Sequence, residues 1–373
     1  MKILSIFGTR PEAIKMAPVV KQLKLHPDHF TSVVCVTAQH REMLDQVLAI
    51  FDIRPDYDLD IMRHDQTLAQ VTASALTELD VTLRAEEPDW VLTQGDTTTA
   101  MVGALAAFYH RIRVGHVEAG LRTWDKFQPF PEEINRKIAD AVCDLHFAPT
   151  EAARENLLRE GVDAASVVVT GNTVIDALLD VAGRDYDWRE GELAQVPRDK
   201  RLILVTAHRR ENFGPPLIEI CAALKEVSAR YKDVHLIYPV HLNPKVRGVV
   251  FDLLGDVENI TLTEPLEYLP LAQLLKASYL VLTDSGGLQE EAPGFGKPVL
   301  ALREVTERPE GVTAGTVKLV GPNRRKIVEE TARLLDDRAA YERMSRAINP
   351  YGDGHASELI VAKLRSLALQ VES

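Results

Sequence analysis

The sequence predicts an α/β protein built as two doubly wound lobes facing a cleft, and three observations carry that reading. Short apolar runs alternate with longer amphipathic stretches. KILSIFG is followed by EAIKMAPVVKQLK, TSVVCVT by EMLDQVLAIF, and DWVLT by TTTAMVGALAAFYH. Short apolar runs between helices mark buried parallel strands joined by right-handed crossovers. The pattern then restarts. RLILVTAHRREN repeats the order strand, loop with Arg and Glu, helix that opens the chain in KILSIFGTRPEA. Finally, DWVLTQGDTTTAMVGALAAF leading to VGHVEAG is echoed by YLVLTDSGGLQEEAPGFG leading to KPVLALREVTERPE. This is a repeat at the level of the fold and not the short tandem array of a solenoid. Two such lobes leave a cleft at the carboxyl ends of their strands, where open α/β sheets bind ligands.

The bulk numbers fit this frame. A length of 373 residues suits two domains, and 46% hydrophobic content is enough for two cores. The stretch 185–200 is charged, lacks apolar periodicity and carries Pro197, so it reads as a loop or linker. The net charge of −12 argues against nucleic acid or an anionic membrane as the main partner. A local basic cluster can still hold an anionic ligand. Cys35, Cys143 and Cys221 are scattered, with no C-x-x-C spacing, and read as reduced thiols in a cytoplasmic setting. Their plain alternative is small buried hydrophobes. The opening apolar run is too short for a signal core and reads as a first strand. No window approaches the roughly 18 apolar residues of a membrane-spanning helix.

Several fingerprints are absent: G-x-G-x-x-G, the P-loop, H-E-x-x-H and G-x-S-x-G. Four loops carry the remaining chemistry. In Gly8-Thr9-Arg10-Pro11-Glu12, Pro11 suits a helix start, so Arg10 and Lys15 stand at its positive end, a good place for phosphate. The plain alternative is a solvated Lys15 and an Arg10–Glu12 pair. Thr283-Asp284-Ser285-Gly286-Gly287 follows a strand, and its glycines let backbone N–H groups approach a pyrophosphate. Glu290 and Glu291 follow, and a carboxylate there suits ribose hydroxyls. The alternative is a plain helix start capped by Asp284 or Ser285. In Thr206-Ala207-His208-Arg209-Arg210-Glu211-Asn212, a histidine at a strand's carboxyl end suits phosphate binding or proton transfer. The fourth set is Asp96, Glu118, Glu132 and Glu133. Taken singly, Asp96 also reads as a helix N-cap and the Glu132–Glu133 pair as first-turn acids. Taken together, such acids can hold an acid and a base at separated pKa values.

These loops sit in longer motifs: FGTRPEAIKMAP, TAQHREMLDQVL, GDTTT, VGHVEAGLRTWD, PEE-x-NR, HRREN, YPVHLNP, TDSGG-x-QEEAP, TERPEG and NPYGDG. Across nearly the whole chain they resemble the non-hydrolysing UDP-N-acetylglucosamine 2-epimerases of bacteria. The resemblance implies a fold of two Rossmann-like lobes similar to glycogen phosphorylase and the GT-B glycosyltransferases. It divides the chain into an N-terminal lobe, 1–170, a C-terminal UDP-binding lobe, 171–352, and a last helix, 353–373, that returns to the first. It implies interconversion of UDP-GlcNAc and UDP-ManNAc without metal or nicotinamide, by a homodimer. Carried over residue by residue, it makes Asp96, Glu118 and Glu132 the catalytic acids and puts His208 at the diphosphate. Arg10 and Lys15 would contact substrate, Ser285, Gly286 and Gly287 would cradle phosphate, Glu291 would hold ribose, and Arg308 would lie near the diphosphate. The uracil would lie against the segment from Leu266 to Leu271, where some members carry Gln and Phe.

Many bacterial members also have a second, activating UDP-GlcNAc site, and Gln39, Glu42 and His241 match positions there. Glu42 stands where Gln can occur and Asp65 where Arg can occur. Extra negative charge beside an anionic effector predicts weaker activation. The C2 proton of the sugar is not acidic, so the expected route is loss of UDP with removal of that proton, giving a glucal. UDP then returns as a proton reaches the opposite face. The rival readings are a hydrolysing epimerase, disfavoured by the lack of an appended kinase segment, a GT-B glycosyltransferase, and a nucleotide-sugar sensor without turnover.

Overall fold

A computed structural model describes residues 1–38, 41–63 and 65–371. The chain forms two compact units. One is Met1–Ala177 with the segment from Tyr351 onward; the other is Leu178–Pro350. In the first unit the order is β1 (Lys2–Phe7), α1 (Arg10–Lys24), β2 (Thr31–Val36), α2 (Arg41–Ile50), β3 (Tyr57–Asp58), α3 (Leu68–Glu86), β4 (Trp90–Gln94), α4 (Thr98–Tyr109), β5 (Arg113–Val117), α5 (Glu132–Val142), β6 (Leu145–Ala148), α6 (Glu151–Arg159) and β7 (Val167–Val169). Helix α7 (Thr173–Ala182) carries the chain out of it. The second unit runs β8 (Arg201–Thr206), α8 (Pro215–Arg230), β9 (Val234–Pro239), α9 (Pro244–Leu254), β10 (Ile260–Thr263), α10 (Tyr268–Ala277), β11 (Leu280–Thr283), α11 (Gly286–Gly294), β12 (Val299–Ala301), α12 (Pro309–Ala314), β13 (Val317–Leu319), α13 (Arg324–Asp336) and α14 (Arg338–Ser345). Helix α15 (Ala356–Val371) belongs to the first unit again.

Both sheets are parallel and share one strand order. The first is β3-β2-β1-β4-β5-β6-β7 and the second β10-β9-β8-β11-β12-β13. The order reverses between β1 and β4 in one and between β8 and β11 in the other, the switch points where doubly wound sheets bind ligands. The expected α/β class with two doubly wound lobes is therefore what the chain adopts. Helices cover both faces of the first sheet. Ile3, Phe7, Val34 and Leu92 pack on one side with α1 residues Met16, Val20 and Leu23, and Ile6, Val91 and Val114 on the other with Leu79 and Val102. In the second unit, Leu204's neighbours Ile203 and Val205 pack with Ile220, Leu224 and Ile327.

Helix α15 adds Ile360, Val361 and Leu364 to the core against α1, and Asp176 accepts from the Ser357 amide and hydroxyl at its start, at 2.7 and 2.6 Å. The stretch 185–200 is irregular, with one 3₁₀ turn at Gly191–Leu193, yet it buries Trp188, Leu193 and Val196. It is a packed loop of the second unit and not a free linker. Its apolar residues are too few and too unevenly spaced to show a period. Among the described residues no helix is long and apolar enough to cross a membrane.

Candidate active site

In the first unit, register sets the site. Gln94 pairs with Val117 and Thr93 with His116, so β4 and β5 end level and Asp96 and Glu118 leave the sheet at the same edge. Gly8, after β1, lies close enough to its neighbours that a Cβ would fall 2.0 Å from Thr37 Oγ1 and 2.7 Å from Thr99 Oγ1, so only glycine fits this turn. The turn is locked by Glu12, which is fully buried. Its carboxylate accepts from Gly8 N at 3.1 Å, Thr9 N at 2.7 Å and the Thr97 hydroxyl at 2.6 Å. Burial raises its pKa against those hydrogen bonds. Glu12 is thus a structural acid that closes a capping box on α1, while Arg10 is exposed.

Glu118 is the centre of the acid set. It sits just past β5 at φ +66, a left-handed conformation that costs a non-glycine residue on the order of 1–2 kcal/mol. Three partners hold it there: Lys15 Nζ donates to Oε1 at 2.5 Å, Asn172 Nδ2 to Oε1 at 2.8 Å and Gln94 Nε2 to Oε2 at 2.5 Å. Lys15 therefore neutralises a catalytic candidate from its own unit, which the expectation of a substrate contact did not include. Asp96 is not the helix cap; Thr97 is, accepting from Ala100 N at 3.1 Å. That leaves the Asp96 carboxylate outside the helix backbone, a third exposed, with Arg136 Nη2 at 2.7 Å and Asn135 Nδ2 holding its carbonyl at 2.9 Å. Glu132 opens α5, and its buried Oε2 has no hydrogen-bond partner among the described residues. A buried carboxylate oxygen without a partner is costly and marks a group kept for another purpose. Glu133 differs: it is fully buried and accepts from the Thr123 and Trp124 amides, pinning the loop before α5.

In the second unit, Asp284 organises the loop after β8. It is fully buried, and its Oδ2 accepts from His208 N and Arg209 N, each at 2.8 Å, and from Asn212 Nδ2 at 2.9 Å. It caps nothing in α11; Ser285 is the N-cap residue, and its side chain makes no capping bond. The α11 amides and the Ser285 hydroxyl are thus left for an anion. A Cβ on Gly286 would lie 3.7 Å from Arg209 Nη2, and one on Gly287 3.8 Å from both Glu291 Oε1 and Ser285 Oγ. Arg209 and Glu291 therefore stand over the same helix start. Arg308 ion-pairs with buried Glu290. Leu266 and Leu271 are half-buried at the start of α10. The hydroxyl of Tyr268 between them is buried, which pushes its phenol pKa well up, and Glu291's charge adds to that. His208 stacks on His241 at 5.2 Å and 12°, with Asp284 Oδ1 3.7 Å from its Nδ1. Burial lowers the His208 pKa and His241 lowers it further, against Asp284. Gln39 and the side chain of Glu42 lie outside the described residues; Asp65 is exposed in a left-handed turn at φ +57. Among the described residues no cluster of three or more His, Cys, Asp or Glu is placed to hold a metal.

The residues missed from sequence are those that hold the site: Glu12, Gln94, Arg136, Asn172, Arg209 and Asp284. Most lie inside the quoted motifs, and their polar side chains beside strand ends were the available signal.

A profile of the UDP-N-acetylglucosamine 2-epimerase family matches residues 21–365. The chain is 54% identical over 372 residues to the UDP-N-acetylglucosamine 2-epimerase of Escherichia coli (strain K12), covering 98% of this chain and 99% of that protein. It is 53% identical over 364 residues to the Bacillus subtilis (strain 168) protein of the same name, covering 98% and 95%. Among solved structures, the UDP-GlcNAc 2-epimerase from Neisseria meningitidis bound to UDP-GlcNAc superposes with a TM-score of 0.86 at 49% identity, covering 98% of this chain and 99% of that one.

Proposed function

Because the chain belongs to the UDP-N-acetylglucosamine 2-epimerase family, a GT-B-type fold of two parallel-sheet lobes, we propose that it interconverts UDP-GlcNAc and UDP-ManNAc by eliminating and re-adding UDP. The observation that carries the reading is the acid set of the first unit. Asp96 and Glu118 leave the sheet at one edge, Glu132 opens α5, whose Asn135 and Arg136 hold Asp96, and each acid has different partners. A base must take the C2 proton from one face and an acid must return one to the other. A guanidinium on Asp96, a lysine and two amides on Glu118, and a buried Glu132 oxygen without a partner among the described residues separate their roles. The departing diphosphate needs positive charge and oriented N–H groups. His208, Arg209, Arg308 and the α11 start with Ser285, Gly286 and Gly287 supply them, while Glu291 suits the ribose and the segment from Leu266 to Leu271 the uracil. Arg10 completes the substrate contacts. The intermediate is a 2-acetamidoglucal, with no redox step required.

Homodimer formation, and UDP-GlcNAc acting as an activator beside Gln39, Glu42 and His241, belong to the same reading. The test is incubation with UDP-GlcNAc in D2O, followed by NMR. Epimerisation yields UDP-ManNAc carrying deuterium at C2. Free ManNAc, transfer that depends on an acceptor, or no exchange at C2 would each refute it.

A further inference from the structure

His116 occupies the next-to-last position of β5 and is fully buried. Its Nδ1 lies 2.6 Å from Asp140 Oδ1, and its Nε2 lies 2.7 Å from the carbonyl oxygen of Gly95. Both neighbours are acceptors. A neutral imidazole carries one N–H, so one of its nitrogens would present a lone pair to an oxygen. Only the imidazolium donates to both. We propose that His116 is a positioning residue held as a buried imidazolium, whose Nε2–H grips the Gly95 carbonyl and so sets the Gly95–Asp96 turn that carries a reacting carboxylate. The inference rests on the reading of Asp96 as one of the acids that act at C2.

The surroundings support the charge. Burial alone would lower the pKa of His116, but the Asp140 carboxylate and the Gly95 carbonyl raise it above the ordinary imidazole range. Asp140 in turn is pushed down to about 2 by His116 and Arg122, in spite of its burial. Arg122, with its side chain fully buried, reaches Asp140 Oδ2 at 2.7 Å and Glu160 Oε2 at 2.6 Å, and Lys137 reaches Glu160 at 3.2 Å. His146 pairs with His116 across β5 and β6. Burial lowers its pKa, and its Nε2–H donates to the Asp140 backbone carbonyl at 2.9 Å. The Asp140 carboxylate is therefore shared between Arg122 on Oδ2 and His116 on Oδ1.

The geometry gives this pair a purpose. Gly95 has φ +74, a turn conformation suited to glycine, and Asp96 follows it. Helix α5 grips that turn three ways: Asn135 on the Asp96 carbonyl, Arg136 on its carboxylate, and Asp140 through His116 on the Gly95 carbonyl. The same helix carries Glu132. Two of the acids are thereby tied to one rigid element, and a shift of about 1 Å in such a group can cost on the order of a hundredfold in rate.

The proton is read directly by NMR of the full chain labelled with 15N-histidine. At pH 7.5 both His116 nitrogens are expected to be protonated, with the resonances assigned from His116→Gln or, should that variant not fold, from their movement in Asp140→Asn. One unprotonated nitrogen overturns the imidazolium. In steady-state assays His116→Gln, which cannot donate along both directions, is expected to lower kcat about a hundredfold with KM for UDP-GlcNAc within about threefold. A kcat within threefold of wild type, or an effect on KM alone, overturns the positioning role. The imidazolium is present below its raised pKa and lost as pH rises through it. Asp140→Asn removes the charge that holds the proton, so the alkaline fall in activity should move to lower pH, with Asp140→Glu restoring part of it; an unmoved limb counts against the proposal. Deuterium exchange at C2 by wild type is measured on the same samples. Its absence refutes the epimerase reading, while the NMR result still decides the protonation of His116.

Discussion

Replacing Asp284 by Asn should loosen the loop that carries His208 and Arg209 without disturbing the sheet beneath it. The carboxylate is fully buried and accepts three hydrogen bonds on one oxygen, two of them from backbone amides at 2.8 Å. An amide keeps one acceptor oxygen but loses the charge. A hydrogen bond to a charged group contributes about 1.5–3 kcal/mol against about 0.5–1.5 for a neutral pair. The difference, about 1 kcal/mol for each of three bonds, comes to roughly 3 kcal/mol. If that free energy governs local opening, the loop amides should exchange roughly a hundredfold faster. Hydrogen exchange followed by mass spectrometry on a peptide spanning 206–213 reads this, with strand β8 as the internal control. kcat/KM should fall with it, since His208 and Arg209 lose their fixed positions. Exchange within threefold of wild type would show that the carboxylate does not hold the loop.

Other perturbations separate the roles of the acids and their supports. Glu132→Gln should cut turnover by about 10²- to 10⁴-fold with thermal stability unchanged or raised, because the buried Oε2 has no hydrogen-bond partner to lose; near-normal turnover sinks the assignment. Lys15→Met takes away the cation 2.5 Å from Glu118 and should cost roughly 2–4 kcal/mol in a urea titration, with a fall in kcat/KM that Lys15→Arg partly restores. Thr97→Val removes the α4 cap and one Glu12 partner, a loss of about 1–2 kcal/mol in the same assay. The Asp140 carboxyl, held down to about 2 in the folded chain, contributes stability that is present above its ordinary value and lost as pH falls toward about 2. Asp140→Asn should therefore be less stable at neutral pH and show a flatter acid-side loss, read by tryptophan fluorescence against pH.

The parallel strands, the helices between them and the loops at the strand ends were legible in the sequence because each is a local pattern. An apolar run, a turn of Gly, Asp or Thr and an amphipathic stretch encode their own conformation within a few residues. The packed loop at 185–200 was not, since its three buried side chains follow no period. Nor was the division of labour among the acids. Glu12, Glu133 and Asp284 look in sequence like helix-end acids beside Asp96 and Glu132, yet they are structural clamps.

What the sequence determined by itself is therefore the two doubly wound halves and the set of loops from which a site is drawn. The tertiary structure alone decided the pairings. Lys15 meets Glu118 across 103 residues, Glu12 meets Thr97 across 85, and Asp284 meets His208 across 76. These distances are set by strand order and register, by β1 lying beside β4 and β8 beside β11. Polar groups far apart in the chain must find one another once those strands bury them, and no periodicity within a single loop encodes which partner they find.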